Sequence, residues 1–182
     1  RKTNQVYNGN DGKHKIRENA SRSRSDKTLT DKSLVERCGL FCGACEIYRA
    51  QKDGGEVLRK AVEYFKCPPE KVRCEGCQVL TPECWGTGCE MVQCLNAKEL
   101  RFCYECPDYE RHACEKYEKF SKAYLEEDGV DLRSNLARIK AGEAEKWLIE
   151  SAEYFRCPDC KRPLSYGAMK KRCYHCGKEL SC

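Results

Sequence analysis

CGLFCGACEIY, residues 38–48, sets the thiols of Cys38, Cys42 and Cys45 at the spacing C-x3-C-x2-C. Sulfurs so close along a chain serve either three corners of an iron-sulfur cluster or part of a closed tetrahedral metal site. The rest of the sequence has to decide between the two.

The chain has 182 residues, of which 17 are cysteine and 35% are charged. If the cysteines are ligands, the 40% apolar fraction shrinks to a thin core, and a protein built this way needs staples. Metal is a better staple here than disulfide. The thiols recur as C-x2-C pairs that suit one ion, and their total is odd. We find no secretory leader pattern and no apolar run near the ~18 residues that cross a bilayer, so the expectation is a reducing, cytoplasmic setting without a membrane partner.

The strongest pattern lies at the C-terminus, where CPDC (Cys157, Cys160) and CYHC (Cys173, Cys176) face each other across twelve residues. Two such turns close a four-sulfur site, so residues 156–182 are expected to form a β zinc ribbon, with Cys182 left over and His175 not a ligand. Twelve cysteines precede it: Cys38, Cys42, Cys45, Cys67, Cys74, Cys77, Cys84, Cys89, Cys94, Cys103, Cys106 and Cys114. Three further closed sites would use all twelve, giving about four Zn2+ per chain; which cysteines share a site stays open. All-sulfur ligation does not separate zinc from iron, so iron-sulfur clusters at some of the twelve, in an electron-transfer or sensor protein, are the alternative. The wide, paired spacings lack the compact C-x2-C-x2-C-x3-C run of ferredoxins and favour zinc.

Gly54-Gly55-Glu56 imitates the GGE element of radical S-adenosylmethionine enzymes, but only eight residues separate it from Cys45. That leaves no room for the helix and strand that intervene in that fold, and no strand-helix alternation follows. A thiol-redox reading of Cys42 and Cys45 lacks its βαβ unit.

Apolar spacing predicts a helix over 55–66 ended by Cys67-Pro68-Pro69, a second over 109–127, and a third over 131–155 capped by Asp131 and stopped at Cys157-Pro158. Trp147 is expected in the core. Residues 67–108 show no period, and metal is expected to order them. The expected fold is thus mainly α with irregular Cys-rich loops: a multi-metal region over 33–128, a connecting helix over 129–155 and the ribbon. Residues 1–32, with five scattered apolar members, read as a basic arm that is disordered or ordered by a partner.

Charge follows the same divisions. Lys/Arg outnumber Asp/Glu nine to four in residues 1–32 and seven to two in 156–182, while 33–155 carries eighteen against twenty-three. Both ends could therefore dock on nucleic acid, a ribonucleoprotein or an acidic protein face, with Arg156, Lys161, Arg162, Lys170, Lys171, Arg172 and Lys178 around one metal and Tyr166 and Tyr174 for stacking. No small-molecule substrate is indicated. The three histidines, His14, His112 and His175, have no Ser-His, paired-carboxylate or phosphate-loop surroundings, so catalysis is not expected.

CGLFCGACEIY, the CEGC of Cys74 to Cys77, the CEMVQC of Cys89 to Cys94 and CYECPDYERHAC from Cys103 to Cys114 together resemble a widespread prokaryotic family of cysteine-rich proteins of unknown function. Its blocks read roughly CGLxCxxCxxY, CxGC, CxIRxC and CxxCxxYPC. Some members continue with a helix like NLARIKAGEAEKWL and a ribbon like FRCPDCKRPLSYG, so the resemblance covers about residues 36 to 180. Met91-Val92 replaces the usual Ile-Arg, Arg111-His112-Ala113 lengthens the last block, and Cys67 is an addition. The resemblance implies a small multi-metal domain with an appended ribbon and no established reaction.

Overall fold

A computed structural model describes residues 31–169 and 171–180. The basic arm, apart from Asp31 and Lys32, lies outside the described residues, as do Lys170 and Cys182. The fold is mainly helical. Among the described residues, β pairing is confined to three isolated antiparallel bridges: Val35 with Phe41, Arg156 with Pro163, and Arg172 with Glu179.

Helix α1 spans Glu46–Asp53 and α2 spans Gly55–Phe65, separated by a turn at Gly54. The second ends at Lys66 in the left-handed region, just before Cys67-Pro68-Pro69. Residues 67–108 differ from expectation. Short 3-10 turns at Pro69–Lys71, Trp85–Gly88 and Cys103–Glu105 alternate with a true helix, α3 (Glu90–Ala97), which buries Met91, Val92 and Leu95. Cys94 sits within it and obscures its period.

The helix expected over 109–127 is two: α4 (Pro107–Glu110) and α5 (Glu115–Asp128). His112, at φ +55, turns the chain between them. The helix expected over 131–155 is likewise two, α6 (Leu132–Lys140) and α7 (Ala144–Tyr154). Asp131 caps α6 as expected, accepting from the Ser134 N–H at 3.0 Å. The break is a Schellman turn: Gly142 at φ +87 donates to the Ile139 carbonyl, and Glu143 donates to that of Arg138. A short α8 (Tyr166–Met169) lies between the two C-terminal knuckles.

The apolar core is larger than composition suggests. Leu34, Leu40, Phe41, Tyr48, Met91, Leu95, Phe102, Tyr117, Leu132, Leu136, Trp147, Leu148, Phe155 and Tyr166 form one buried cluster, with Cys38, Cys42, Cys103 and Cys106 inside it. Phe41 meets Trp147 edge-on at 6.1 Å, and Phe155 meets Tyr166 edge-on at 4.8 Å. Residues from both sides of position 129 share this core. Tyr166 is therefore not free for stacking on a partner: its hydroxyl accepts from the Phe41 N–H at 2.9 Å, and its ring is buried.

Candidate metal centre

The two C-terminal knuckles repeat each other bond for bond. In the first, the Cys157 N–H donates to the Arg162 carbonyl and the Lys161 N–H to that of Cys157; in the second, Cys173 donates to Lys178 and Gly177 to Cys173. The residue after each second cysteine is left-handed, Lys161 at φ +60 and Gly177 at φ +78. The sulfurs of Cys157 and Cys176 lie 3.7 Å apart, as do those of Cys160 and Cys173, and all four fall within 4.8 Å of one another. A tetrahedron with metal–sulfur bonds of ~2.3 Å has edges of ~3.8 Å, whereas a disulfide would be ~2.05 Å. The four thiols are placed so that they could hold one metal ion. Although burial opposes it, the backbone N–H groups of Cys160 and Asp159 hold the Cys157 thiol down to about 7, while burial carries Cys173 up to about 12.

His175 has another role. Its Nε2 lies 3.5 Å from Asp53 Oδ2 at the end of α1, and its Nδ1 lies 3.2 Å from the Arg162 guanidinium. With the Gly167 N–H donating to Glu46 and Arg172 3.7 Å from Glu56, it docks the knuckles on α1 and α2.

The first cysteine loop is held by its backbone. Val35 and Phe41 pair across a tight turn, with Gly39 at φ +98. A β-carbon on Gly39 would stand 2.5 Å from the Leu132 carbonyl oxygen, so only glycine permits this approach to the start of α6. Tyr117 donates to the Cys38 carbonyl at 3.1 Å and Asn135 to that of Gly39 at 3.0 Å; Asn135 in turn accepts from Trp147 Nε1. The loop's backbone is thus anchored by α5 and α6, with α7 holding Asn135 in place.

Into this loop comes a residue that spacing rules overlooked. Glu36 is 8% exposed, with Oε1 3.2 Å from Cys42 Sγ and Oε2 3.4 Å from Cys38 Sγ. Cys77 joins them: Glu36, Cys42 and Cys77 offer ligand atoms within 4.8 Å of one another. Burial pushes the Glu36 carboxyl up, partly offset by hydrogen bonds from Cys42 and Cys38; burial likewise raises the Cys38 and Cys45 thiols, and Cys42 is raised first by its bond with Cys77. A bound cation reverses these preferences. The only sequence signal was an acid two residues before the first cysteine, between Val35 and Arg37.

The remaining upstream cysteines are gathered more loosely. Burial raises Cys103 to about 12, with the charges of Cys114, Cys94 and Cys106 adding to it, so each of these three lies near Cys103. Lys98 Nζ stands 3.2 Å from Cys106 Sγ and 3.0 Å from Asp108. Burial, then Cys77 and Cys84, raise Cys74 to about 11. Cys89 is near enough to Cys77 and Glu36 to be raised by them after burial. Cys67, like Cys45 and Phe65, packs against a separate cluster formed by Ile47, Ala50, Val57, Ala61, Val72 and Cys74. Among the described residues, the quartet at the C-terminus and the Glu36–Cys42–Cys77 trio are the groups of three or more His, Cys, Asp or Glu that meet the 4.8 Å condition.

Residues 34–119 match the model of a family described as Protein of unknown function (DUF3795), a little under half of the chain. The match spans the first loop and all twelve upstream cysteines and stops short of α6, α7 and the two C-terminal knuckles. No curated protein and no solved structure matches the chain. Among the described residues no helix is long and apolar enough to cross a membrane.

Proposed function

We propose that the protein is a non-catalytic, multi-zinc binding or adaptor protein whose metal sites fix a docking surface. The observation that carries this reading is the gathering of the Cys157, Cys160, Cys173 and Cys176 sulfurs within 4.8 Å of one another, two of their edges at 3.7 Å, framed by two matching knuckles. The bridges at Arg156–Pro163 and Arg172–Glu179 support a minimal zinc ribbon, closed by metal where a longer sheet would otherwise be needed. The twelve upstream cysteines supply the other sites. Elemental analysis of anaerobically purified protein is the test: about four zinc ions per chain are expected. Iron with inorganic sulfide, and absorbance near ~400 nm, would give the upstream thiolates to clusters.

The docking partner in this reading is polyanionic. Lys60, Lys171, Arg172 and Tyr174, with Glu179 and Leu180, line a cavity of about 450 Å³ where α2 meets the second knuckle. Binding of single-stranded RNA that weakens steeply with added salt and with Lys171→Glu is the expected result; no binding at low salt removes this part of the reading.

A further inference from the structure

We propose that Glu36 is a metal ligand, forming with Cys42 and Cys77 a mixed carboxylate–thiolate site for a divalent ion of the zinc type, with Cys38, whose sulfur lies 3.4 Å from the second Glu36 oxygen but outside the 4.8 Å group, moving in as the fourth donor. This rests on the multi-metal reading above and adds a non-cysteine donor to it. Glu36 lies two residues before Cys38, in the strand-like arm that pairs Val35 with Phe41, so its side chain is delivered to the loop by the same turn that delivers the sulfurs. Its two oxygens point at two different thiols, Oε1 to Cys42 at 3.2 Å and Oε2 to Cys38 at 3.4 Å. With a metal–oxygen bond of ~2.0–2.2 Å and a metal–sulfur bond of ~2.3 Å, the edge from one ligating oxygen to a sulfur is ~3.6 Å, and the Oε1–Cys42 contact at 3.2 Å lies a little inside it.

The alternative role for a carboxylate in this position is an ordinary buried ion pair. Among the described residues no Lys, Arg or His makes one with Glu36; its side-chain neighbours within hydrogen-bond reach are thiols. Thiols are weak donors, and buried carboxylates are either matched by strong donors or cations or coordinate metal. Carboxylate oxygen is an ordinary zinc donor, and three thiolates with one carboxylate leave the same net −2 on a divalent ion as four thiolates do. The site therefore fits electrostatically among the all-sulfur ones. Its consequence is that the upstream cysteines do not divide evenly into sulfur quartets: a carboxylate ligand releases one thiol from ligation.

The test uses the full chain, purified anaerobically with Zn2+ as the only added metal, and compares Glu36→Gln with the parent. Glutamine keeps the shape and hydrogen-bonding reach but coordinates zinc poorly. The expected result is the loss of one zinc ion, with the C-terminal ion retained, as shown by a further one-ion loss when Cys157→Ser is added. Glu36→Cys, which restores an anionic ligand, is expected to recover the ion. A Glu36→Gln protein that holds as much zinc as the parent overturns the proposal while leaving the multi-metal reading intact; a parent that holds no zinc overturns the reading itself. Should Glu36→Gln fail to fold, zinc X-ray absorption fine structure on the parent decides: oxygen at ~2.0–2.2 Å beside sulfur at ~2.3 Å is expected, and an all-sulfur shell overturns the assignment.

Discussion

The hydroxyl of Tyr166 accepts a hydrogen bond from the backbone N–H of Phe41 at 2.9 Å, joining residues 125 apart in the chain. One lies between the C-terminal knuckles and the other inside the first cysteine loop. One buried ring thus joins the two cysteine regions, beside the His175–Asp53 and Gly167–Glu46 contacts, and it also packs edge-on against Phe155 and Tyr124.

Tyr166→Phe should test that coupling. The variant keeps the ring packing and leaves the Phe41 N–H buried without its partner, a loss of about 1–3 kcal/mol. Denaturant unfolding of the metal-loaded protein is expected to show that loss, with the zinc content unchanged, because the hydroxyl touches no sulfur. An unaltered midpoint would mean that the two regions are held together by packing alone.

Gly39→Ala against Gly88→Ala separates backbone necessity from composition. Gly39 combines φ +98 with a would-be β-carbon 2.5 Å from a backbone oxygen of α6, whereas Gly88 has nothing within 4 Å and no positive φ. The first substitution is expected to cost about 2 kcal/mol or more from strain and displacement of the loop, the second close to nothing. Equal thermal midpoints for the two variants would contradict the packing of the first loop on α6.

Local signals were legible where chemistry is local. The CxxC knuckles, the start of α2 after Gly54-Gly55, its stop at Cys67-Pro68-Pro69 and the Asp131 cap can all be read from neighbouring residues. What failed depended on tertiary context. The stripe of Leu136, Ile139, Trp147 and Leu148 faces one core on both sides of Gly142, so its periodicity hid the Schellman break. In α3 a cysteine stands among the apolar residues and blurs the pattern. Tyr166 looked like a surface ring because it sits in a short segment between the basic knuckles, yet its partners come from far upstream. Glu36 was passed over because a lone acid is most often solvated, and only the fold of the first loop shows it turned inward among thiols.

Chelation should separate the metal-ordered parts from the core-ordered ones. Residues 67–89 bury only Val72, Cys74, Gly76, Cys84 and Gly86, while α6 and α7 bury Leu132, Leu136, Ile139, Trp147 and Leu148. Amide exchange after metal removal is expected to accelerate across 67–89 and much less across 132–154. Helix α3 should behave like the latter, since Met91, Val92 and Leu95 fasten it to apolar neighbours. Retained protection over 67–89 in the metal-free protein would show that something else orders that stretch.

Cys67→Ser and Cys157→Ser should give opposite results. Cys67 packs against the satellite cluster of α1 and α2, whose buried members include Cys74, but stands outside the two groups whose ligand atoms lie within 4.8 Å of one another, and we take it as the candidate for the thiol that a Glu36 ligand releases. Its replacement is expected to leave the zinc count unchanged. Cys157 is buried, with its sulfur 3.7 Å from that of Cys176, and structural zinc is worth roughly 10–16 kcal/mol in small modules, so losing one corner should release one ion and open the knuckles. The opening should not stop there. With the knuckles loosened, His175 leaves Asp53, and the strain reaches the Tyr166 anchor on Phe41. We therefore expect Cys157→Ser to lose one ion outright and to surrender the upstream ions to a chelator faster than the parent, although each upstream site keeps its own ligands. Measuring zinc release against time in the parent and both variants checks this. Upstream release at the parental rate in Cys157→Ser would show that the knuckles fold independently, and loss of an ion in Cys67→Ser would return Cys67 to the ligand set.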